Sequence, residues 1–203
     1  MSVLAQLQKD GLVIATHNKG KLREIEAMLA PLHIQVSASS DHNLEEPEEN
    51  GETFEANAAI KSEYTTKATG KPALSDDSGL EVEALQGAPG IFSARWGGPQ
   101  KDFYLAMDKV KAALDEVEAL PPYKANFTCV LALSLPEQPT LFFRGEVHGQ
   151  LEFPPRGTQG FGYDPIFVPE GHTETFGEID PAIKHQMSHR ANAFSLFCEA
   201  LKA

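Results

Sequence analysis

The run from Leu12 to Leu29 constrains this chain more than any other. Leu12-Val13-Ile14-Ala15 is a short apolar, β-branched stretch that passes directly into the polar Thr16-His17-Asn18-Lys19-Gly20-Lys21. Leu22, Ile25 and Leu29 then share one helical face, Lys21, Glu24 and Glu26 fall off it, and Pro31 closes the segment. The spacing predicts a strand, a polar loop and a helix. A helix start leaves backbone N–H groups without intrahelical partners, which makes this loop a candidate phosphate site. The plainer alternative is a polar N-capping loop with solvated lysines.

The loop nearly matches a P-loop, and its mismatches are informative. GxxxxGK[ST] laid on residues 15 to 22 finds Gly20 and Lys21, but Ala15 stands for the first Gly and Leu22 for the hydroxyl that ligates magnesium. The loop therefore suits phosphate without the metal. Any metal needs carboxylates from elsewhere. Ser75-Asp76-Asp77-Ser78-Gly79 offers two, at the end of the short apolar run Ala73-Leu74 and where a strand is expected to break. Neighbouring side chains on a strand point to opposite faces, so one Asp can serve a site while the other faces the scaffold. A strand end with an Asx turn would have the same sequence.

Charge decides which partners are reasonable. The net charge of −12 argues against nucleic acid, which requires a basic face, but not against a small anion held by a few lysines and a divalent cation. With 41% hydrophobic residues, 203 residues suffice for one substantial core or two small lobes. The longest apolar stretches, such as 130–133, are too short to span a bilayer, and residues 1–10 do not read as a signal peptide, so a cytoplasmic protein is expected. Cys129 and Cys198 sit in apolar settings without metal-ligand spacing and are expected to be reduced thiols.

Along the rest of the chain, residues 33–38 contain a second strand, and an acidic loop follows over 41–52 with Glu45, Glu46, Glu48 and Glu49. Thr53 starts a helix to about Ala68 whose stripe of Phe54, Asn57, Lys61, Tyr64 and Ala68 mixes aromatic and polar groups, as befits a helix that lines a polar cleft with part of its length. Leu80, Val82 and Ala84 alternate as a half-buried strand, and Arg95 is an anion ligand or a cation–π partner. A scaffold helix is expected over 101–117, a doubly buried strand over 127–135, and a long strand or bent pair over 141–153, the last two pairing as a hairpin. Gly157 to Pro165 interleaves glycines with Phe161 and Tyr163, so backbone can approach a ligand while a ring offers a stacking surface. Ser188 is a plausible N-cap for the last helix, projecting His189 and Arg190 from its first turn.

Taken together, Ala-Thr-His-Asn-Lys-Gly-Lys at 15–21, Ser-Asp-Asp-Ser-Gly-Leu at 75–80, Gly-Ala-Pro-Gly-Ile-Phe-Ser-Ala-Arg at 87–95, Gly-Phe-Gly-Tyr-Asp-Pro at 160–165 and Ser-His-Arg at 188–190 resemble the inosine-triphosphate pyrophosphatase family, the RdgB-type XTP/dITP diphosphatases. The resemblance covers nearly the whole chain, leaving 1–10 as an N-terminal extension and 11–203 as one two-lobed domain. It implies an α/β fold with an elongated mixed β-sheet flanked by helices, two lobes and a cleft between them. It also implies hydrolysis of ITP, dITP and XTP to monophosphate and pyrophosphate, magnesium dependence and a homodimer.

Residue by residue, the resemblance assigns Thr16, His17, Asn18, Lys19, Gly20 and Lys21 to the triphosphate, and Asp77 to proton acceptance and metal. Glu48 is the second metal carboxylate, with Glu49 as its alternative in a loosely aligned loop. Lys61, Ser78, Arg95 and Lys184 are substrate contacts, Phe161, Gly162, Tyr163 and Asp164 form the base loop, and His189 and Arg190 recognise the base. His17 stands where many relatives carry Gly. A pyrophosphatase for other nucleotides and a non-catalytic nucleotide-binding module are the alternatives, and a substrate panel separates them.

Overall fold

A computed structural model describes residues 2–202; Met1 and Ala203, the ends of the expected extension and domain, lie outside the described residues. The chain is α/β, with one six-stranded sheet in the order β2-β1-β3-β4-β5-β6. Its strands are β1 (Leu12–Ile14), β2 (Val36–Ala38), β3 (Ala73–Val82), β4 (Tyr123–Ser134), β5 (Leu141–Leu151) and β6 (Phe167–Pro169). β1 runs parallel to both β2 and β3, whereas β5 and β6 are antiparallel, so the sheet is mixed. Neighbours β4 and β5 are joined by only a short loop, as the expected hairpin requires.

The helices are α1 (Val3–Asp10), α2 (Lys19–Leu29), α3 (Phe54–Thr69), α4 (Phe103–Glu116), α5 (Pro181–Met187) and α6 (His189–Lys202). Among the described residues no helix is long and apolar enough to cross a membrane. The segment read as an extension is largely helical: Ser2 caps α1, Leu7 is completely buried, and Gln8 Nε2 donates to the Leu32 carbonyl at 3.0 Å.

The chain divides into two compact units. Unit 1 comprises residues 1–77, 130–144 and 193–203, and unit 2 comprises 78–129 and 145–192. In unit 1, the three residues of β1 are buried together with Ala73, Leu74 and the 130–133 run of β4, and the rings of Phe143 and Phe197 meet edge to face at 5.5 Å. The core of unit 2 joins Leu80 and Val82 to Met107 and Val110 of α4 and to Phe127, Phe167 and Phe176. Among the described residues Cys129 and Cys198 are not joined in a disulfide.

Three expectations are corrected. No break occurs at the Asp pair: β3 is one ten-residue strand running through both residues, and a buried ion pair with Lys21 compensates the Asp76 carboxylate, so that it needs no turn to reach water. Beyond Val82 the strand gives way to a 3-10 turn over Glu83–Leu85, so Ala84 is not part of it. On α3 the buried face is Phe54, Asn57, Ala58, Lys61, Ser62, Thr65 and Thr66, whereas Tyr64 points outward.

Candidate active site

Unit 1 brings four of its charged side chains to Asp77. β1 ends at Ile14, and the loop after it is tied together locally: the Asn18 amide donates to Thr16 Oγ1 at 3.2 Å, and Asn18 Oδ1 accepts from the amides of Gly20 and Lys21 at 2.9 and 3.2 Å. Two amides expected to stand open for phosphate are therefore occupied by the helix's own cap. Asn is among the best N-cap residues because its carbonyl reaches these donors without leaving the chain. What the loop does present is Lys21, whose Nζ lies 2.9 Å from Oδ2 of Asp76. Asp76 is thus a buried ion-pair partner of the loop and not a turn residue.

Lys61 rises from the buried face of α3 and pairs with Glu49 of the acidic loop. Burial alone would lower the Lys61 pKa, but the carboxylates of Asp76, Glu49 and Asp77 outweigh it and hold the ammonium above the ordinary lysine value. Asp77 moves the other way. Burial pushes its carboxyl up to about 6, against the pull of Lys61 and Lys21 and with added repulsion from Glu49 and Asp76. A carboxyl poised near neutrality among two lysines and two further carboxylates is suited to holding or accepting a proton.

Of the two acidic-loop candidates, Glu49 is the one placed against Lys61 and within electrostatic reach of Asp77, whereas Glu48 is exposed. His17, too, faces this loop, its Nε2 lying 3.0 Å from the Leu44 carbonyl oxygen. A small cavity of unit 1 is lined by Ala15, His17, Ser39, Glu45, Lys61 and Thr65.

Unit 2 gathers the aromatic and C-terminal candidates. Phe161 is 40% exposed, but Tyr163 is only 2% exposed, stands edge to face with Phe103 at 5.5 Å and donates its hydroxyl to the Ser93 carbonyl at 2.8 Å. Burial holds the Tyr163 phenol well above its ordinary pKa. Of the two rings considered for stacking, Phe161 is therefore the accessible one.

Asp164 Oδ2 accepts from the Phe161 amide at 2.7 Å and from Lys184 Nζ at 2.6 Å, fixing the turn that carries the ring. Lys184 also lies 5.2 Å from the Phe161 ring centre and 5.4 Å from that of Phe176. The glycines on either side of Phe161 allow this turn: Gly160 has φ +71 and a Cβ there would strike the Asp164 carboxylate, and Gly162 has φ +69.

Ser188 caps α6 as expected, accepting from the Ala191 amide at 3.1 Å. His189 stacks on Phe127 with ring centres 5.0 Å apart, and Arg190 Nη2 donates to Ser78 Oγ at 3.3 Å. Arg95 lies 5.2 Å from the Phe92 ring centre, the cation–π alternative considered for it. A groove of about 520 Å³ in unit 2, lined by Lys124, Asn126, His148 and Gln150 among others, contains none of the candidate residues.

Sequence reasoning undervalued Gly79, Ser93 and Asn57. Ser93 Oγ accepts from the Leu80 amide at 2.9 Å and donates to the Gly90 carbonyl at 2.6 Å, and a Cβ on Gly79 would come within 2.3 Å of that carbonyl oxygen. The Ser-Gly pair after the Asp residues is thus partly a packing requirement. Asn57, one member of the mixed stripe on α3, is completely buried.

The Ham1 family model matches residues 12–200. A dITP/XTP pyrophosphatase of Caulobacter vibrioides is 53% identical over 190 residues, covering 94% of this chain and 97% of the relative. Another, from Rhodospirillum centenum, is 51% identical over 185 residues and 91% of each chain. Among solved structures, a HAM1 protein from Coxiella burnetii superposes with a TM-score of 0.89 at 38% identity, over 95% of this chain and 98% of that one.

Proposed function

The chain belongs to the Ham1 family, and from that premise we propose that it hydrolyses dITP, XTP and ITP to the nucleoside monophosphate and pyrophosphate, removing them from the nucleotide pool. The observation that carries the reading is the arrangement at Asp77. A buried carboxyl with a raised pKa lies among two lysines, Lys21 and Lys61, and a second carboxylate, Glu49.

In this reading Asp77 orients a water and accepts its proton as the water attacks the α-phosphorus. Lys21 and Lys61 offset the charge that develops on the departing pyrophosphate, with Thr16 to Gly20 shaping the loop around it. The cations start committed to Asp76 and Glu49, so their positions are set before substrate arrives.

The donor set suits magnesium. Among the described residues no group of three or more His, Cys, Asp or Glu is placed to hold a metal, so the protein would contribute two carboxylates, Glu49 or Glu48 together with Asp77, and leave the other positions to water and phosphate oxygens. The ion, when bound, would neutralise phosphate charge and acidify the attacking water.

For the base, Phe161 supplies the stacking face. Arg190, His189 or an amide of the 161–164 loop donates to a 6-oxo group, which adenine lacks. Lys184 supports this loop through Asp164, and Ser78 orients Arg190. Arg95 and Gly162 keep the substrate contacts that the family resemblance assigns them. We further read the protein as a cytoplasmic homodimer.

The deciding experiment is pyrophosphate release from dITP, XTP, ITP, GTP, ATP and dTTP, with and without magnesium. Magnesium-dependent release confined largely to the first three is expected. Binding without release would return the protein to the class of nucleotide-binding modules. Sedimentation at micromolar concentration tests the dimer.

A further inference from the structure

The acidic loop returns along the inner face of α3 in a defined register. Lys61 holds Glu49, Asn57 holds Gly51, and Thr53 caps the helix by accepting from the Ala56 amide at 3.1 Å. Lys61 and Asn57 are four residues apart and so share one side of the helix. The Asn57 contact is a hydrogen bond from the Gly51 amide to Asn57 Oδ1 at 2.8 Å, made by a side chain with no exposure to solvent.

Its other half is steric. A Cβ on Gly51 would lie 2.7 Å from Ala56 Cβ, 2.8 Å from Asn57 Oδ1 and 3.0 Å from the Asn57 amide nitrogen. The loop can therefore approach the helix only as glycine, and only against a residue that accepts a hydrogen bond. Asn supplies that acceptor without charge. An Asp there would add a further carboxylate next to a group that already contains Glu49, Asp76 and Asp77. Nδ2 of the same buried side chain has no hydrogen-bond partner among the described residues, so the amide is held by this one contact and is not part of a larger network.

We propose that Asn57 is a positioning residue that keeps Glu49 in the Asp77 group by clipping the acidic loop at Gly51. It touches no reacting atom. It acts through two residues of backbone, fixing where the Glu49 carboxylate sits relative to Lys61 and Asp77, and hence how well the pair of carboxylates would hold a divalent cation. The link to turnover rests on the pyrophosphatase reading above, but the positioning itself does not.

Two variants test the clip from opposite sides. Asn57→Ala removes the acceptor, and Gly51→Ala leaves the acceptor but drives the loop away. In metal-free protein without nucleotide, hydrogen exchange of the backbone amide at position 51 should rise at least ~10-fold in both, with the amides of α3 unchanged. Manganese binding to the same protein, followed by electron paramagnetic resonance, should weaken ~10-fold. In the assay with dITP, the magnesium concentration for half-maximal pyrophosphate release should rise similarly, with kcat at saturating magnesium within ~3-fold. Asn57→Asp, which retains an acceptor, should keep the Gly51 amide protected.

A folded Asn57→Ala protein with wild-type loop exchange and manganese affinity would overturn the proposal, as would equal loss of protection in the loop and in α3. If Asn57→Ala fails to fold, Gly51→Ala decides by the same comparison. If wild type releases no pyrophosphate while the loop responds as stated, the functional reading falls and the positioning role stands.

Discussion

Nζ of Lys21 lies 2.9 Å from Oδ2 of Asp76, joining the first turn of α2 to the middle of β3. The Asp76 side chain is fully shielded and that of Lys21 retains 15% of its exposure, so the pair is largely desolvated. Breaking such a pair from one side leaves a charge without compensation, which costs more than removing both. Asp76→Ala should therefore lose about 2–4 kcal/mol of stability. Lys21→Met combined with Asp76→Ala should lose less than the sum of the single changes in denaturant titrations.

Asp77 carries the clearest pH signature. Its folded pKa, about 6, lies above the ordinary carboxylate value of 3.8. The folded state therefore holds this proton more tightly between those values. In metal-free protein its contribution is fully present below about pH 4 and is lost as pH rises through about 6, a change of on the order of 3 kcal/mol. Asp77→Asn should abolish that slope and leave the metal-free protein more stable than wild type at pH 7, while turnover falls at least ~100-fold. Near-normal turnover in folded Asp77→Asn would falsify its role as base.

Phe161 and Tyr163 are separated by burial, and their variants should separate in the same way. Phe161→Ala should raise KM for dITP by roughly 5- to 150-fold, in line with about 1–3 kcal/mol per stacked base, with little change in Tm. Tyr163→Phe leaves the Ser93 carbonyl without its 2.8 Å donor and should cost about 1–2 kcal/mol with KM unchanged. The reverse pattern would assign stacking to Tyr163.

Gly79→Ala tests the close approach behind the site. The added methyl would meet the Gly90 carbonyl oxygen at 2.3 Å and Ser93 Oγ at 2.6 Å, both part of a hydrogen-bonded turn. A loss of about 1–3 kcal/mol is expected, measured as a fall in Tm. An unchanged Tm would show that this turn yields easily.

On the proposed reading, base selectivity falls to residues of unit 2. Arg190→Ala should narrow the ratio of ITP to ATP turnover, because a donor aimed at a 6-oxo group is lost. A full ratio in this variant would move that task to His189 or to the 161–164 amides.

Local pattern was enough to read much of this protein. α2, α3, α4 and α6 follow from periodicity and caps, since a 3.6-residue repeat and a side chain that bonds its own helix start are properties of short segments, and β1 follows from its β-branched run leading into a polar loop. The candidate list comes from five motifs that resemble one family, with side-chain chemistry alone marking only the lysines, the carboxylates and the glycine-flanked rings. The short strand β6 and helix α5 left no comparable signal: three residues and seven residues are too few for periodicity to show.

Local sequence supplies the groups: two adjacent carboxylates, two lysines in separate segments, an acidic loop and a glycine-flanked ring. Tertiary structure decided how they divide the work. Asp76 is drawn to Lys21 while Asp77 keeps a raised pKa, Glu49 and not Glu48 meets Lys61, and Phe161 stays open while Tyr163 is buried. The physical reason is common to all three. Burial and pairing energies depend on neighbours brought from distant parts of the chain, and residues one or two positions apart differ only in which of those neighbours they face.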